Sequence, residues 1–391
     1  MKSNRIESLD ILRGLVMVIM ALDHVRDYFY YGSFFNDPTD LETTTPVLFF
    51  TRFITHFCAP IFVFLAGTSA FLYGSKRSKP ELAKFLFTRG IWLIILEIVL
   101  NNLIWTFDFG YSIQILQVIW AIGLSMVVLS GLIYLPYKAI LVIATILVVG
   151  HNLLDGIVVQ GNSFRDIIWY ILHQTHRIVL GPNKMIVFRY PIIPWIGLMA
   201  FGYCFGKLYL RDFDQTLRKK WLLGLGFGLT LLFFIVRGIN VYGDLLPWSV
   251  QKNTIYTFLS FLNVAKYPPS LSYLLVTTGP TFILLYLLED KKSSLTHFFL
   301  VFGRVPLLFY FLHVLVIHAL AMIGLTIFGG NWKDMILTLD VFANAKLIHY
   351  GYPLWVTYLI WIGVILLLYP ICKKYMIYKA TNKEKWWLSY L

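Results

Sequence analysis

The first apolar stretch of the chain, SLDILRGLVMVIMALDHVRD at residues 8–27, carries three aspartates, two arginines and a histidine. Asp10, Arg13, Met17, Met20, His24 and Asp27 follow one another at spacings of three or four, so on a helix they share one face. Arg13 and His24 are eleven positions apart, which is about 16 Å along a helix axis and nearly in phase around it. The stripe offers a permanent cation towards one end and, towards the other, an imidazole whose charge changes near neutral pH. Asp23 and Asp27 stand close enough in sequence to orient or charge that imidazole. Such a set suits general-base chemistry on a substrate whose anionic part is held by the cation. Taken singly, the same charges also fit a plainer role: an interfacial pair of Asp10 with Arg13, and a cluster of Asp23, His24, Arg26 and Asp27 at the other helix end.

Further polar residues sit inside apolar runs. His56 lies in RFITHFCAPIFVFLAG; Glu97 and Asn101 share a helical face, as do Gln114 and Gln117; a later run carries Arg304, Tyr310, His313 and His318. Ionisable groups within a span cost about 2.5–3.5 kcal/mol each at its centre, so they face a protein interior and tend to mark function. A lone histidine or glutamine there is also often just hydrogen-bonded to a neighbouring helix. His313 and His318 are five apart and point in different directions, so at most one is expected to join a given site. No HExxH, Gly-x-Ser-x-Gly or Walker pattern occurs, which argues against a zinc protease, a serine hydrolase and an ATPase. Cys58, Cys204 and Cys372 lie far apart with no metal or redox spacing, so no metal is expected and the thiols read as packing residues.

The elements that position these residues follow from composition. The 391 residues are 58% hydrophobic, 17% aromatic and only 14% charged, with a mean hydropathy of +0.71. That leaves too little polar surface for a soluble domain. About ten runs approach the roughly 20 apolar residues a helix needs to cross a bilayer: residues 9–30, 47–73, 84–106, 112–133, 136–151, 191–210, 221–240, 270–289, 298–328 and 352–372. Lipid offers backbone groups no partner, and continuous apolar runs select helices over a barrel. The expected fold is an all-α, polytopic transmembrane helix bundle, read as one domain over residues 1–391.

The net charge of +13 is explained by topology and not by nucleic acid. Basic clusters at Lys2 and Arg5, at Lys76 to Lys84, at Lys207 to Lys220, at Lys291 and Lys292, and from Lys373 to Lys385 fall on one side of an even number of spans. The positive-inside rule makes that side, and both termini, cytoplasmic. The opposite loops include the acidic segment with Asp37, Asp40 and Glu42. The start resembles a signal peptide, but Asp10 and Arg13 interrupt its apolar core and no small-residue cleavage site follows, so the first span is expected to remain attached. FRDIIWYILHQTHRIVL, residues 164–180, shows helical spacing that suits a helix lying in the outer interface, as a surface anchor or a lid.

The blocks RIESLDILRGLVMVIMALDH, FCAPIFVFLAGTSAFL, LQVIWAIGLSMV, YPIIPWIGLMAFGYCFG, FLNVAKYPPSLSYLLVTTGP and FGRVPLLFYFLHVLVIH resemble, in order and over nearly the whole chain, a bacterial family of multi-pass proteins. That family is grouped with the catalytic domain of heparan-α-glucosaminide N-acetyltransferase, a lysosomal enzyme that acetylates a glucosamine amine from acetyl-CoA. Similarity to the lysosomal enzyme rests on LDxLRG in the first run and the Pro-x-Phe-Val-Phe block of the second. Arg13 and His24 are also similar in spacing to an Arg and His separated by ten residues on the first helix of membrane acyltransferases that decorate polysaccharides. One departure stands out: the lysosomal enzyme's catalytic His lies in the loop after its first span, and residues 30–45 here contain none.

The resemblance implies an acetyl-CoA-dependent acetyltransferase in the bacterial inner membrane. Its acceptor would be an amino sugar, a polysaccharide hydroxyl or a glycolipid. On this reading His24 is the general base, oriented by Asp23 or Asp27, with His56 and His313 as second candidates for the base or for acceptor binding. Arg13 and Arg304, with His313, hold the donor; Asp10, Glu97, Gln117 and Lys266 line the substrate pocket. Transfer in one step and transfer through an acetyl-histidine both stay open. So do a transporter or flippase that uses the buried charges as a proton or substrate relay, a non-enzymatic scaffold, and association as a homodimer.

Overall fold

A computed structural model describes residues 6–389, so the basic positions Lys2 and Arg5 lie outside the described residues. Helices run in chain order as α1 (Glu7–Phe29), α2 (Pro46–Phe53), α3 (Cys58–Gly74), α4 (Lys79–Leu96), α5 (Asn102–Thr106), α6 (Val118–Leu132), α7 (Tyr137–Val149) and α8 (Phe164–Leu172). They continue as α9 (Ile193–Phe205), α10 (Gln215–Ile239), α11 (Thr254–Leu262), α12 (Leu271–Leu288), α13 (Ser294–Arg304), α14 (Pro306–Ile327), α15 (Leu339–Ala343) and α16 (Leu354–Thr381). Three short strands, β1 (Ile113–Leu116), β2 (His176–Gly181) and β3 (Lys184–Phe188), form one sheet in the order β1-β3-β2.

Among the described residues, five helical stretches are long and apolar enough to cross a membrane: Pro46–Gly74, Gln215–Ile239, Leu271–Leu288, Pro306–Ile327 and Leu354–Thr381. The expected runs at 84–106 and 112–133 are interrupted. A π-turn at Glu97–Asn101 separates α4 from α5, and β1 replaces the first turn expected before α6. The interfacial helix expected over 164–180 stops at Leu172. Beyond it, β2 turns back through Gly181 and pairs antiparallel with β3. Ser163 caps α8 and Asp166 reciprocates on the Ser163 backbone, which fixes where that helix starts.

The chain gathers into two compact units: Met1–Cys58 with Asn101–Ile113 and Leu287–Leu391, and Ala59–Leu100 with Gln114–Tyr286. In the first unit α1 is the central helix, packed against α13, α14 and α16. Nearly all of it is buried, including Asp10, Asp23, His24 and Arg26. Close approach to α13 depends on two glycines. A Cβ on Gly14 would lie 1.7 Å from the Phe299 carbonyl oxygen, and one on Gly303 would lie 1.8 Å from that of Asp10. The Trp361 indole N–H, from α16, donates to the Val18 carbonyl at 2.8 Å.

In the second unit α4 packs on α6, and α7 on α9. The sheet and α8 enclose a small core of Leu116, Tyr170, Ile178 and Phe188. Cys58, Cys204 and Cys372 are buried free thiols.

Candidate functional site

The first unit brings two imidazoles into direct contact. His24 Nδ1 lies 2.7 Å from His313 Nε2, and the rings stack with centroids 4.9 Å apart. His313 Nδ1 in turn lies 2.8 Å from the Phe309 carbonyl, one turn back on α14. A carbonyl only accepts, so His313 carries its proton on Nδ1, and a neutral His313 presents a lone pair at Nε2. His24 must then donate from Nδ1, which leaves the lone pair of a neutral His24 on Nε2. The backbone of α14 thus sets the tautomer of a side chain on α1, through one intervening ring.

Aromatic groups surround the pair. Trp105 meets the His24 ring edge-on at 4.7 Å and Tyr310 does so at 6.1 Å. The Trp105 indole N–H donates to the Tyr310 hydroxyl at 3.4 Å, and its carbonyl accepts from the Tyr28 hydroxyl at 2.5 Å. His318 joins the same seam: its ring packs on Tyr28 at 4.8 Å, while its nitrogens lie 3.0 Å from the Ile104 carbonyl and 2.8 Å from that of Met335. His313 and His318 meet different residues of α1, His24 and Tyr28. Both face α1, His318 one turn further along at the level of Tyr28, where it ties α5 and the Trp332–Met335 turn to α14.

The carboxylates on α1 look elsewhere. Asp23 pairs with Arg26 at 2.9 Å and with Arg52 of α2, and Asp27 pairs with Arg26 at 2.5 Å. The group seen on His24 Nδ1 is thus His313 in place of the expected Asp23 or Asp27. His56 is buried in the turn between α2 and α3, with the Phe53 ring 5.8 Å away.

Arg13 and Arg304 converge at the N-terminal end of α1. Arg13 donates to Asp10 at 2.9 Å and to the Gly303 carbonyl at 3.2 Å. Arg304 faces Asp10 at 3.8 Å and Glu7 at 3.7 Å. Those separations are longer than hydrogen bonds, so Arg304 is held by charge and keeps donors to offer.

Glu97, Gln117 and Lys266 belong to the second unit. Glu97 is fully buried and accepts from the backbone N–H groups of Gln117 at 3.3 Å and Trp120 at 3.0 Å, so its carboxylate caps the start of α6. The Lys266 ammonium lies 5.3 Å from the Tyr267 ring. Trp105 was not singled out from the sequence; only its lone position in an apolar run could have pointed to it. Among the described residues, no group of three or more His, Cys, Asp or Glu is placed to hold a metal ion.

A family model for the catalytic domain of heparan-alpha-glucosaminide N-acetyltransferase matches residues 5–249. The chain belongs to this family. A comparison with curated proteins finds no match. Membership fits an integral membrane protein with acetyltransferase-type activity, and the long apolar helices agree with it. His24, Arg13, Asp10 and Glu97 lie inside the matched segment of this heparan-alpha-glucosaminide N-acetyltransferase family member, whereas His313 and Arg304 lie beyond it.

Proposed function

We propose that the protein is a membrane acetyltransferase that moves an acetyl group from acetyl-CoA to a glycan or amino-sugar acceptor, with His24 as general base. The hydrogen bond between His24 and His313 carries this reading. His24 Nε2 takes the proton of the acceptor amine or hydroxyl as that atom attacks the thioester carbonyl. The resulting imidazolium then returns a proton to the departing thiolate. His313 holds the ring at one angle and in one tautomer throughout, much as a carboxylate orients the histidine of a hydrolase triad.

Arg13 and Arg304 are the cations for the phosphates of the donor. The pair is balanced by Asp10 and Glu7, so phosphate must displace carboxylate, and the loosely held Arg304 is the more readily recruited. The helix rise between Arg13 and His24, about 16 Å, suits a donor whose thioester sits at the end of a long arm. On this reading the basic loops are cytoplasmic, the donor's anionic end faces the cytoplasm and His24 faces the opposite side of a bacterial inner membrane.

The test is thioester turnover by the purified full-length protein. Acetyl-CoA should be consumed with an amine or hydroxyl acceptor, and His24→Ala should abolish this while the fold is retained. A relay used for transport predicts no thioester cleavage at all, and that outcome would reject the enzyme. Incubation with labelled acetyl-CoA alone, followed by mass mapping, separates a covalent acetyl-histidine from direct transfer.

A further inference from the structure

In the second unit, α3 ends and α10 begins two of the stretches long and apolar enough to cross a membrane. A Cβ on Gly206, just after α9, would lie 2.6 Å from the Phe71 side chain in the last turn of α3. Three residues further on, the Tyr209 ring has the Arg218 guanidinium of α10 at 5.0 Å. The end of α3 and the start of α10 thus border the same short segment, Gly206–Tyr209. Where spans end together, hydrocarbon gives way to lipid headgroups.

Cations and rings meet at this end. Arg77 stacks on the Tyr73 ring at 3.7 Å and donates to the Tyr73 carbonyl at 2.9 Å. Lys79 donates to the Tyr134 carbonyl at 3.2 Å, and the Lys207 ammonium lies 5.3 Å from the Tyr137 ring. Lys79 opens α4 and Lys207 follows α9, yet both reach the short connection between α6 and α7. The Tyr137 hydroxyl donates to the Cys204 carbonyl at 3.0 Å, which fixes that ring. Tyr134, Tyr137 and Trp221 remain 52%, 40% and 50% exposed, as suits amphipathic rings at a membrane interface.

The charge here is one-sided. Residues 73–84, 134–138 and 206–220 hold ten Lys or Arg against Glu81, Asp212 and Asp214. Two of those carboxylates are engaged at helix starts: Glu81 closes the capping box of α4, and Asp214 accepts from the Leu217 N–H. Among the described residues, Lys79 and Lys207 meet a carbonyl and a ring and no carboxylate. Their charge is therefore open to an anion from outside the chain.

We propose that Lys79, Lys207 and the α6–α7 connection form a binding site for the headgroup of an anionic phospholipid, whose phosphate meets the two ammonium groups beside the exposed tyrosines. The site lies in the second unit, whereas Arg13 and Arg304 belong to the first, and it does not depend on acetyl transfer. Native mass spectrometry of the full-length protein in a non-ionic detergent, with no acetyl-CoA or acceptor, tests it with dioleoyl phosphatidylglycerol and dioleoyl phosphatidylcholine as probes. Phosphatidylglycerol should bind about ten-fold more tightly or better, at about five-fold for each lysine beside an anionic group.

Lys207→Gln, which removes only the ring contact, should lower the preference about five-fold, and Lys79→Gln/Lys207→Gln should abolish most of it. A thermal melt reads whether each variant folds, and the single substitution suffices if the double one does not. Lys291→Gln/Lys292→Gln removes the same charge from exposed positions of the first unit and should leave the preference unchanged. Equal binding of the two lipids, a preference untouched by Lys207→Gln, or an equal loss in the Lys291 and Lys292 variant would each overturn the proposal. Displacement of phosphatidylglycerol by excess inorganic phosphate would overturn it too, in favour of a soluble phosphate ligand.

Discussion

Replacing His313 by leucine removes the acceptor of the His24 Nδ1 proton at nearly constant volume, so no large cavity is left behind. The hydrogen bond between the two imidazoles is 2.7 Å long, and the residues are 9% and 0% exposed. Two outcomes are open to His24. It can keep its proton on Nδ1, where a buried donor without its partner costs about 1–3 kcal/mol. Alternatively, it can move the proton to Nε2, which turns the lone pair away from the acceptor. Charged against the transition state at 1.36 kcal/mol per decade, 1–3 kcal/mol lowers kcat by about 5- to 160-fold.

His313→Gln offers an amide oxygen to Nδ1 and should recover much of the rate. The assay is steady-state thioester turnover at varied acetyl-CoA and saturating acceptor, with a thermal melt to show that each variant folds. Removal of a positioning group lowers kcat and leaves KM for acetyl-CoA within about two-fold. A rise in KM with kcat unchanged would place His313 on the donor, the role the sequence alone suggested. A folded His313→Leu with undiminished kcat, or a His313→Gln no faster than it, would refute the orientation argument.

Glu97→Gln should lower stability by about 1–3 kcal/mol, because an amide keeps one of the two oxygens that accept the Gln117 and Trp120 N–H groups; thermal melting with donor absent reads it. Gly303→Ala places a methyl group 1.8 Å from the Asp10 carbonyl oxygen, so α1 and α13 must part. A loss of about 1–3 kcal/mol or more is expected, together with weaker donor binding through the displaced Arg13 and Arg304. Asp37 and Asp108 lie outside the spans and are both held below their ordinary value of 3.8. For Asp108 the hydrogen bonds from Ser112 and Gly110 prevail over burial. A depressed carboxylate pKa contributes stability that is present above the unfolded value and lost as pH falls through the folded one. The melting temperature should thus drop below pH 3.8, and less steeply in Asp37→Asn; an identical acid limb would remove Asp37 from the account.

The membrane class and the polar face of α1 were legible in the sequence because both depend on local pattern: apolar run length, and a spacing of three or four. What partners that face was not legible. His24 and His313 are 289 residues apart, and Asp23 and Asp27 were nearer in sequence; Arg26 and Arg52, however, occupy those carboxylates, and only the packing of α14 on α1 supplies the second ring. Glu97 looked like a pocket group because a buried acid within an apolar run usually marks function. Its carboxylate accepts from the backbone N–H groups of Gln117 and Trp120, which the break before α6 leaves without helical partners. The hairpin at 176–188 was missed for a related reason. HRIVLGPNKMIVF has a turn signal between two β-branched runs, but the helical spacing upstream was carried across it.

The question posed by the first helix, why an apolar element holds three aspartates and two arginines, has an answer in how each is met from another segment. Asp10 and Arg13 are closed by Arg304 and the Gly303 carbonyl of α13; Asp23 is closed by Arg52 of α2, and Arg26 ties Asp23 to Asp27. Opposite charges in these positions offset the cost of burying each group. His24, between them, is met by a second imidazole. That partner accepts the hydrogen bond from His24 Nδ1 without adding a permanent charge, and so fixes the orientation of the ring. Ion pairs brace the two ends of the helix, and the imidazole between them is braced by a second imidazole.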